Sequence, residues 1–197
     1  YIIDGVKGYE DENGPRYVNS PWSTDAIPFQ EAAKIGTDKV IRDHANIGIV
    51  VTTDGSVNGI NRVAAEVAEE QIVNELKQIG KPFVIVLNCQ MPSHSNTQTL
   101  RNELLEKYSV PVIPVAIDQM SRNDMEYILQ EALYEFPIED IEVEKPDWLD
   151  VLDHMHPLNL TLSDAVGNVL NSVTKIRDVS QAAAQLREID FVKDSEI

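Results

Sequence analysis

The feature that most limits the possible folds is an alternation of apolar, β-branched runs with amphipathic stretches between residues 46 and 136. The apolar runs have the length of buried strands, and the stretches between them repeat apolar residues at helical spacing. The predicted strands are NIGIVVTT (46–53), PFVIVLN (82–88) and VPVIPVAI (110–117), and the predicted helices cover residues 60–80, 97–109 and 123–136. Alternating strands and helices form βαβ units, so the sequence predicts an α/β fold: a parallel sheet with helices on both faces.

The segment before this alternation has a different character. Residues 5–27 are rich in Gly, Pro, Asn and Asp and show no apolar period, so we expect a long, mobile surface loop there. A helix is predicted to follow from Pro28 to Ala45, because proline suits the first turn of a helix.

The segment after Pro137 is acidic and then changes to a helical pattern. Apolar residues recur at three- and four-residue steps from Leu158 to Ile189, which predicts one long amphipathic helix or two helices with a break near Gly167. We therefore divide the chain into an α/β domain (1–140) and a linker with amphipathic helices that lead to a further domain (141–197).

The composition limits the kinds of partner. The formal net charge of −17 disfavours direct binding to nucleic acid and to anionic lipid, but it leaves basic protein partners open. No uncharged run approaches the roughly 18 residues of a membrane span, so we expect no direct membrane insertion. Cys89 is the only cysteine, so an intrachain disulfide is impossible, which fits a reducing compartment. Because the sequence starts at Tyr1 and lacks a secretory signal, we interpret it as an internal fragment.

Three strand ends are candidate binding positions, because ligands of parallel α/β sheets bind at the carboxyl ends of the strands. Thr53 and Asp54 end the first predicted strand, Asn88 ends the second, and residues 116–119 follow the third. The Asn88 side-chain amide can both donate and accept a hydrogen bond. A plain turn after each strand, with no ligand, explains the same residues equally well at this point.

Other candidate sites in the sequence are weaker. No phosphate-binding loop of the Gly-x4-Gly-Lys-Ser/Thr type occurs, and none of the residues is predicted to bind a metal. His154 and His156 are better interpreted as surface or linker residues, and Cys89 as a buried, inert thiol. The acidic stretches 66–70 and 139–144 are interpreted as solvated faces.

The order of the elements resembles the second half of a Ras-like P-loop NTPase domain. In that family the penultimate strand ends in Asn-Lys-x-Asp, and the last strand ends in a short loop over the base. Here those places hold Asn88-Cys89-Gln90-Met91 and Ala116-Ile117-Asp118. The residues that the resemblance places on the base side of a nucleotide site are Asn88, Cys89, Met91, Ala116, Ile117 and Asp118, with Thr53 and Asp54 as further candidates.

Several longer segments narrow the resemblance to the stage IV sporulation protein A family, the ATPases of the basement layer of the bacterial spore coat. The segments are GVKGYEDENGPRYVNSPW, IPFQEAAKIGTDKVI, TTDGS, GKPFVIVLN and LQEALYEFPI. The resemblance implies ATP and Mg²⁺ as cofactors of the whole protein, with the phosphate and metal ligands upstream of Tyr1. It places no catalytic residue in this stretch, so this chain alone is expected to be inactive and to bind ATP very weakly.

Met91 stands where guanine-specific relatives carry the Asp that accepts two hydrogen bonds from guanine. A thioether offers no equivalent acceptor, and each unsatisfied donor costs about 1–3 kcal/mol. The sequence therefore predicts a preference for ATP over GTP, and it leaves open which residues read adenine.

The resemblance also implies a biological role. The whole protein would hydrolyse ATP to drive its own polymerisation on the outer surface of the forespore, in the mother-cell cytoplasm. Its implied partners are further copies of itself, a small amphipathic sporulation protein that anchors it to the membrane, and coat proteins. Two other interpretations fit the residues: a GTPase-like regulatory switch, and an α/β binding module that binds no nucleotide.

Overall fold

A computed structural model of the 197-residue chain describes residues 8–11, 14–57, 59–190 and 192. The chain divides into two compact units, residues 1–132 and residues 133–197.

The first unit begins with two short antiparallel ladders. Strand β1 (Glu10–Asp11) pairs with β2 (Gly14–Pro15), and β3 (Tyr17–Val18) pairs with β4 (Ile27–Pro28). The prediction of one irregular loop over residues 5–27 is therefore corrected where the structure describes it; residues 5–7 and 12–13 lie outside the described residues. Two-residue strands are too short to leave a periodic signal, and the pairing is supported by an unusual backbone angle at Gly14 (φ +116°) that glycine adopts freely. The predicted mobility stays a prediction.

The predicted helix after Pro28 is confirmed as helix α1 (Phe29–Lys39), which continues into a π-helical turn (Val40–His44). Pro28 itself is the residue before the first helical position, where its missing N–H costs nothing.

The parallel sheet is confirmed, with the strand order β5-β6-β7. Its strands are β5 (Gly48–Thr53), β6 (Phe83–Asn88) and β7 (Val112–Val115). The helices are α2 (Arg62–Gln78), α3 (Ser95–Tyr108) and α4 (Arg122–Leu133), with a short 3₁₀ helix (Ile117–Gln119) after β7. The three strands and the three α-helices are those that the alternating sequence pattern predicted, whereas the 3₁₀ helix was not predicted.

Both faces of β6 are buried, each in its own apolar cluster. Ile85 and Leu87 pack on the side that also contains Val73 and Leu76 of α2, together with residues of α3. The other side contains Val84, Val86, strand β7 residues and the α4 residues Ile128 and Ala132. Successive side chains of a strand point to opposite faces, so the continuous apolar run of β6 is the pattern of a strand covered on both sides. The sheet thus has helices on both faces, as predicted.

Local polar signals mark the ends of two helices. The Asn61 side chain accepts a hydrogen bond from the Val63 N–H (2.9 Å) and begins α2. Gly80 follows the end of α2 with φ +67°, a conformation that favours glycine and ends the helix. The His94 side chain accepts from the Asn96 N–H (3.3 Å) at the start of α3.

The second unit contains a 3₁₀ helix (Asp147–Val151) and two α-helices, α5 (Pro157–Leu170) and α6 (Ile176–Leu186). Of the two predicted arrangements, the pair of helices is the observed one, but the break near Gly167 is wrong, since Gly167 lies inside α5. The break falls at residues 171–175 because the Asp178 carboxylate accepts the backbone N–H groups of Thr174 and Lys175, each at 2.9 Å, and starts a new helix there.

A buried carboxylate holds the start of the second unit to α6. Glu135 is buried and pairs with Lys175 (2.6 Å) and with Arg177. Backbone hydrogen bonds run beside this pair, from Ile138 N–H to the Thr174 oxygen and from Ile176 N–H to the Phe136 oxygen, both at 3.1 Å. The acidic segment after Pro137 is therefore anchored at its first residues.

We expect Gly48→Ala to destabilise the chain. A Cβ at Gly48 would lie 3.0 Å from the Phe83 Cβ and 3.3 Å from a Leu76 methyl, and overpacking of this kind costs about 1–3 kcal/mol. The measurement is the free energy of unfolding from urea titrations followed by circular dichroism. Gly167→Ala is the control: nothing lies within 4 Å of its Cβ, and alanine inside a helix should add about 0.5–1 kcal/mol. A Gly48→Ala chain as stable as the wild type would contradict the close packing of β5 on α2.

Candidate functional site

The carboxyl ends of the three parallel strands lie level with one another. In the register of the sheet, Thr53 is paired with Asn88 and Asn88 with Val115. The loops that follow the strands therefore leave the sheet at one edge, where parallel α/β sheets bind their ligands. The three strand ends named as candidates in the sequence lie at this one edge.

Asn88 links the second and third strand ends. Its side-chain oxygen accepts a hydrogen bond from the Ile117 N–H at 3.3 Å, while the Cys89 N–H donates to the Val115 oxygen at 3.0 Å. Because the Asn88 oxygen already accepts one hydrogen bond inside the protein, its NH₂ group is the part of the amide best suited to serve a ligand. The residue is half-buried, so a ligand can reach it.

A pocket of about 310 Å³ opens beside Asn88. Its walls are formed by Val57, Asn88, Gln90, Ile117 and Asp118. Two apolar side chains, two amides and a carboxylate are a suitable lining for a flat heteroaromatic ring with donors and acceptors on its edge. Three of the residues predicted for the base side are brought together here: Asn88, Ile117 and Asp118.

A larger pocket of about 420 Å³ lies elsewhere, along the outer side of β7. Its walls come from the length of the strand and from α3 and α4, not from strand ends, and they include Arg101 and Tyr127. We favour the pocket at Asn88 as the ligand site because strand ends, not strand edges, are where parallel sheets bind small molecules.

The other predicted base-side residues do not line the pocket. Cys89 is fully buried, and burial together with the nearby Asp54 charge raises the pKa of its thiol to about 11. The thiol donates to the Val115 oxygen at 3.7 Å, so the structure agrees with a buried, inert cysteine. The Met91 side chain is exposed, one residue beyond the pocket residue Gln90, and Ala116 is half-buried at the end of β7.

Asp54 connects the turn after β5 to the loop after β6. One carboxylate oxygen accepts from the Ser56 N–H (2.9 Å) and the Ser56 hydroxyl (2.5 Å), and the other accepts from the Thr97 hydroxyl (3.0 Å) of α3. The Ser56 hydroxyl in turn accepts from the Gln90 N–H at 3.0 Å. Asp54 therefore positions a pocket residue through Ser56. Thr53, also predicted for the site, is buried, and its hydroxyl accepts from the Gly55 N–H at 3.1 Å.

Hydrogen bonds set the charge state of Asp54. Partial burial raises the pKa of the Asp54 carboxyl, but the hydrogen bonds from Ser56 and Thr97 outweigh it and hold that pKa below its ordinary value. Ser56 and Thr97 were not predicted from the sequence. The spacing of Asp54 and Ser56, which is typical of an Asx turn, was the available signal for Ser56.

A second polar network lies behind this edge and was also missed. The buried Glu69 carboxylate accepts two hydrogen bonds from Arg62 (2.6 and 2.9 Å) and one from the Tyr108 hydroxyl (2.9 Å), and Arg62 also donates to the Thr52 hydroxyl (3.1 Å). Burial raises the pKa of Glu69, and the Arg62 hydrogen bonds more than offset it, so that pKa is lowered. The interpretation of residues 66–70 as a solvated face is therefore wrong at Glu69.

The described part of the chain carries neither a metal-binding cluster nor a membrane-spanning helix. Within residues 8–11, 14–57, 59–190 and 192, no three His, Cys, Asp or Glu side chains are arranged to hold a metal ion. No helix formed by these residues combines the length and the apolar character needed to cross a membrane.

The fold and the pocket define an α/β protein with a pocket at the carboxyl edge of a parallel sheet, the edge at which nucleotide-binding α/β domains bind their ligands. Sequence comparison gives the family. Residues 1–137 match the family described as stage IV sporulation protein A, ATPase domain, and residues 138–197 match the one described as stage IV sporulation protein A, middle domain. The chain belongs to the stage IV sporulation protein A family.

Individual relatives agree with this result. The chain is 43% identical over 195 residues to stage IV sporulation protein A of Bacillus subtilis (strain 168), which covers 99% of this chain and 40% of the relative. It is 43% identical over 192 residues to the protein of Bacillus anthracis (98% and 39%) and 40% identical over 195 residues to that of Clostridioides difficile (strain 630) (99% and 40%). The chain thus spans about 40% of the length of these relatives. No solved structure shows significant similarity to it.

Asp54 should stabilise the fold in a pH-dependent way. Because the pKa of Asp54 is lower in the folded chain than in the unfolded one, its contribution is complete above the unfolded pKa and is lost as the pH falls through the folded pKa. We expect the difference in unfolding free energy between wild type and Asp54→Asn to be largest above about pH 5 and to shrink as the pH falls below about 4. Urea titrations across this range measure it.

A second variant tests the source of the Asp54 effect. Thr97→Val removes one of the hydrogen bonds to the carboxylate. Above about pH 5, Asp54→Asn should therefore lower the unfolding free energy less in the Thr97→Val chain than in the wild type. A gap that stays constant with pH would contradict the assignment of the low pKa to these hydrogen bonds.

Proposed function

We propose that this chain carries the base side of the ATP site of a spore coat assembly ATPase. The observation that supports the proposal best is the pocket at Asn88, which lies at the carboxyl edge of the sheet in the segment matched by an ATPase-domain family. Asn88, Ile117 and Asp118 are the base-side residues that line it.

The pocket has chemistry that suits adenine. Adenine has an acceptor at N7 and an NH₂ donor at the 6-position, whereas guanine has an oxygen acceptor at the 6-position. The Asn88 NH₂ group is a donor for N7, and the Asp118 carboxylate or the Gln90 side-chain oxygen is an acceptor for the adenine NH₂. Val57 and Ile117 would pack against the ring faces. A carboxylate near the 6-position would repel the guanine oxygen.

The residues of this chain fit the base and not the rest of the nucleotide. The sequence contains no phosphate-binding loop, and the described residues form no cluster of three or more His, Cys, Asp or Glu side chains for a metal ion. Under the proposal, the groups that hold the triphosphate and Mg²⁺, and so supply the hydrolytic chemistry, belong to the part of the whole protein outside this chain. The chain alone would then bind ATP weakly and hydrolyse none.

In the described part of the chain, strand β5 also has an exposed apolar side that fits an additional half-domain. Val50 of β5 packs against α2, so the side chains of Ile49 and Val51 point to the opposite face of the sheet. On that face, α4 covers β6 and β7. Ile49 and Val51 are exposed, and apolar residues of a parallel sheet are normally covered by helices. We propose that the phosphate-binding half of the domain covers this face and pairs with β5.

The wider role is proposed at the level of the whole protein. Its ATP hydrolysis would drive polymerisation into the basement layer of the coat, in the mother-cell cytoplasm at the forespore surface. The partners would be further copies of the protein, a small amphipathic anchoring protein and coat proteins. What supports this proposal is membership of the stage IV sporulation protein A family, over both the ATPase and middle domains.

Nucleotide preference tests the base-side assignment. The whole protein should hydrolyse ATP in preference to GTP, because Met91 supplies no acceptor for the guanine donors. Met91→Asp should raise the relative affinity for GTP by about 5- to 150-fold, the equivalent of about 1–3 kcal/mol. Competition binding with both nucleotides measures it, and Ser93→Asp, which adds the same charge two residues away in an exposed position, is the control.

The outcomes separate the competing functions. A wild-type protein that prefers GTP would favour the regulatory GTPase and overturn the proposal. A protein that binds neither nucleotide would favour a binding module. Equal shifts in Met91→Asp and Ser93→Asp would show that charge alone, and not position 91, changes the preference.

The uncovered side of β5 gives a second prediction. In the 197-residue chain, Val51→Lys should change the free energy of unfolding by less than about 0.5 kcal/mol, because Val51 is 58% exposed. In the whole protein, the same change should cost more than about 2 kcal/mol, because it would bury an unpaired ammonium group. Urea unfolding of both lengths measures this, with the exposed α2 residue Val63 changed to Lys as control. The same small effect in both lengths would show that nothing covers this face.

A further inference from the structure

Two side chains of the pocket at Asn88 can accept a hydrogen bond from a ligand, and they differ in what they exclude. Gln90 carries a neutral amide, which can turn either its oxygen or its NH₂ group toward a ligand. It can therefore serve a donor and an acceptor equally well. The Asp118 carboxylate only accepts hydrogen bonds. Asp118 is thus the lining residue that can favour a ring with a donor at its edge and exclude a ring with an acceptor there.

The turn that carries Asp118 is anchored at both ends. At its start, the Ile117 N–H donates to the Asn88 side-chain oxygen at 3.3 Å. At its end, Met120 packs against the apolar cluster formed by residues of β6, β7 and α4. The backbone therefore holds Asp118 beside the pocket, while its side chain is exposed to a ligand.

The Asp118 carboxylate is available to a ligand. Asp54, which lies at the same edge of the sheet, has both carboxylate oxygens engaged by Ser56 and Thr97. In the part of the chain that the structure describes, no lysine or arginine pairs with Asp118, and no residue that lines the pocket is cationic. The lining therefore carries a net negative charge, which attracts hydrogen-bond donors and repels acceptors.

We propose that Asp118 is the specificity-determining residue of the site: it selects the 6-amino group of the purine and excludes 6-oxopurine nucleotides as a class. This role rests on the base-side assignment of the pocket. The 6-substituent of a purine lies next to N7 on the same edge of the ring. With the Asn88 NH₂ group on N7, the Asp118 carboxylate accepts from a 6-amino group and repels a 6-oxygen. Met91 only withholds contacts from guanine, whereas Asp118 acts against any purine with an oxygen at this position.

Three nucleotides that differ at the 6-position test the proposal in the whole protein. ATP carries an amino group there, purine riboside triphosphate a hydrogen and inosine triphosphate an oxygen, and none of them has the 2-amino group of guanine. ATP should bind about 3- to 10-fold more tightly than purine riboside triphosphate, and inosine triphosphate about 3- to 10-fold more weakly still. Competition against a fluorescent ATP derivative measures the three dissociation constants.

Two variants of Asp118 and one control show whether this residue sets the order. In Asp118→Asn the amide can turn its NH₂ group toward a 6-oxygen, so the affinity for inosine triphosphate relative to ATP should rise by about 10-fold. In Asp118→Ala the three dissociation constants should lie within about 3-fold of one another. Glu126→Gln removes an exposed carboxylate of α4 that pairs with Arg122, and it should leave the wild-type order unchanged. Asp118 is exposed, and circular dichroism checks that the variants are folded.

The outcomes separate the role of Asp118 from the base-side assignment. A wild type that binds ATP and inosine triphosphate equally tightly would overturn the role of Asp118 and leave the assignment standing. So would an Asp118→Asn variant with the wild-type order, or a Glu126→Gln variant that changes the order as Asp118→Asn does. A whole protein that binds none of the three nucleotides would overturn both.

Discussion

The position of every pocket residue depends on the burial of β6 on both faces of the sheet. Val84 and Ile85 point to opposite sides and are both fully buried, so the strand cannot tilt without opening a gap in one of the two clusters. Its polar end fixes its position along the sheet. A shift by one residue would draw Asn88 into the buried part of the strand and break its hydrogen bond to Ile117, and an unsatisfied buried amide costs about 1–3 kcal/mol.

Two polar networks hold the loops and helices around the strand ends in place. Asp54 fixes the turn after β5 and, through Ser56, the backbone of Gln90. The Glu69 carboxylate, paired with Arg62, joins α2 to β5 and α3 behind it. Removal of Arg62 would leave a buried, unpaired charge at a cost of about 3–5 kcal/mol. Because these links already hold the loops around the pocket in place, a ligand that binds there loses less binding free energy to the ordering of loops.

The sequence was sufficient for the sheet and its helices because their apolar periods extend over many residues. It was also sufficient for Asn88, whose place at a strand end follows from the strand itself. It could not show that Asp54 contacts Thr97, 43 residues away, since that contact exists only once β5 and α3 are packed. Glu69 was misjudged for the same reason: a glutamate among other glutamates on a helix resembles a solvated face until the partner Tyr108 is in place.

The two edges of the sheet differ in whether they can accept another strand. The backbone of β7 is protected, because Pro114 has no N–H and the Arg101 side chain donates to the Val112 oxygen at 3.2 Å. On β5, the Gly48 N–H donates to the Pro82 oxygen just before β6, and the Asp54 N–H donates to the oxygen of Asn88, the last residue of β6. Because alternate residues of a strand face alternate sides, the backbone groups of Ile49 and Val51 face away from β6. Among the described residues, β5 pairs with β6 alone, and its outer edge carries no proline, charge or bulge. Among the described strands, β5 is therefore the one whose outer edge can accept a further strand, next to its exposed apolar residues Ile49 and Val51.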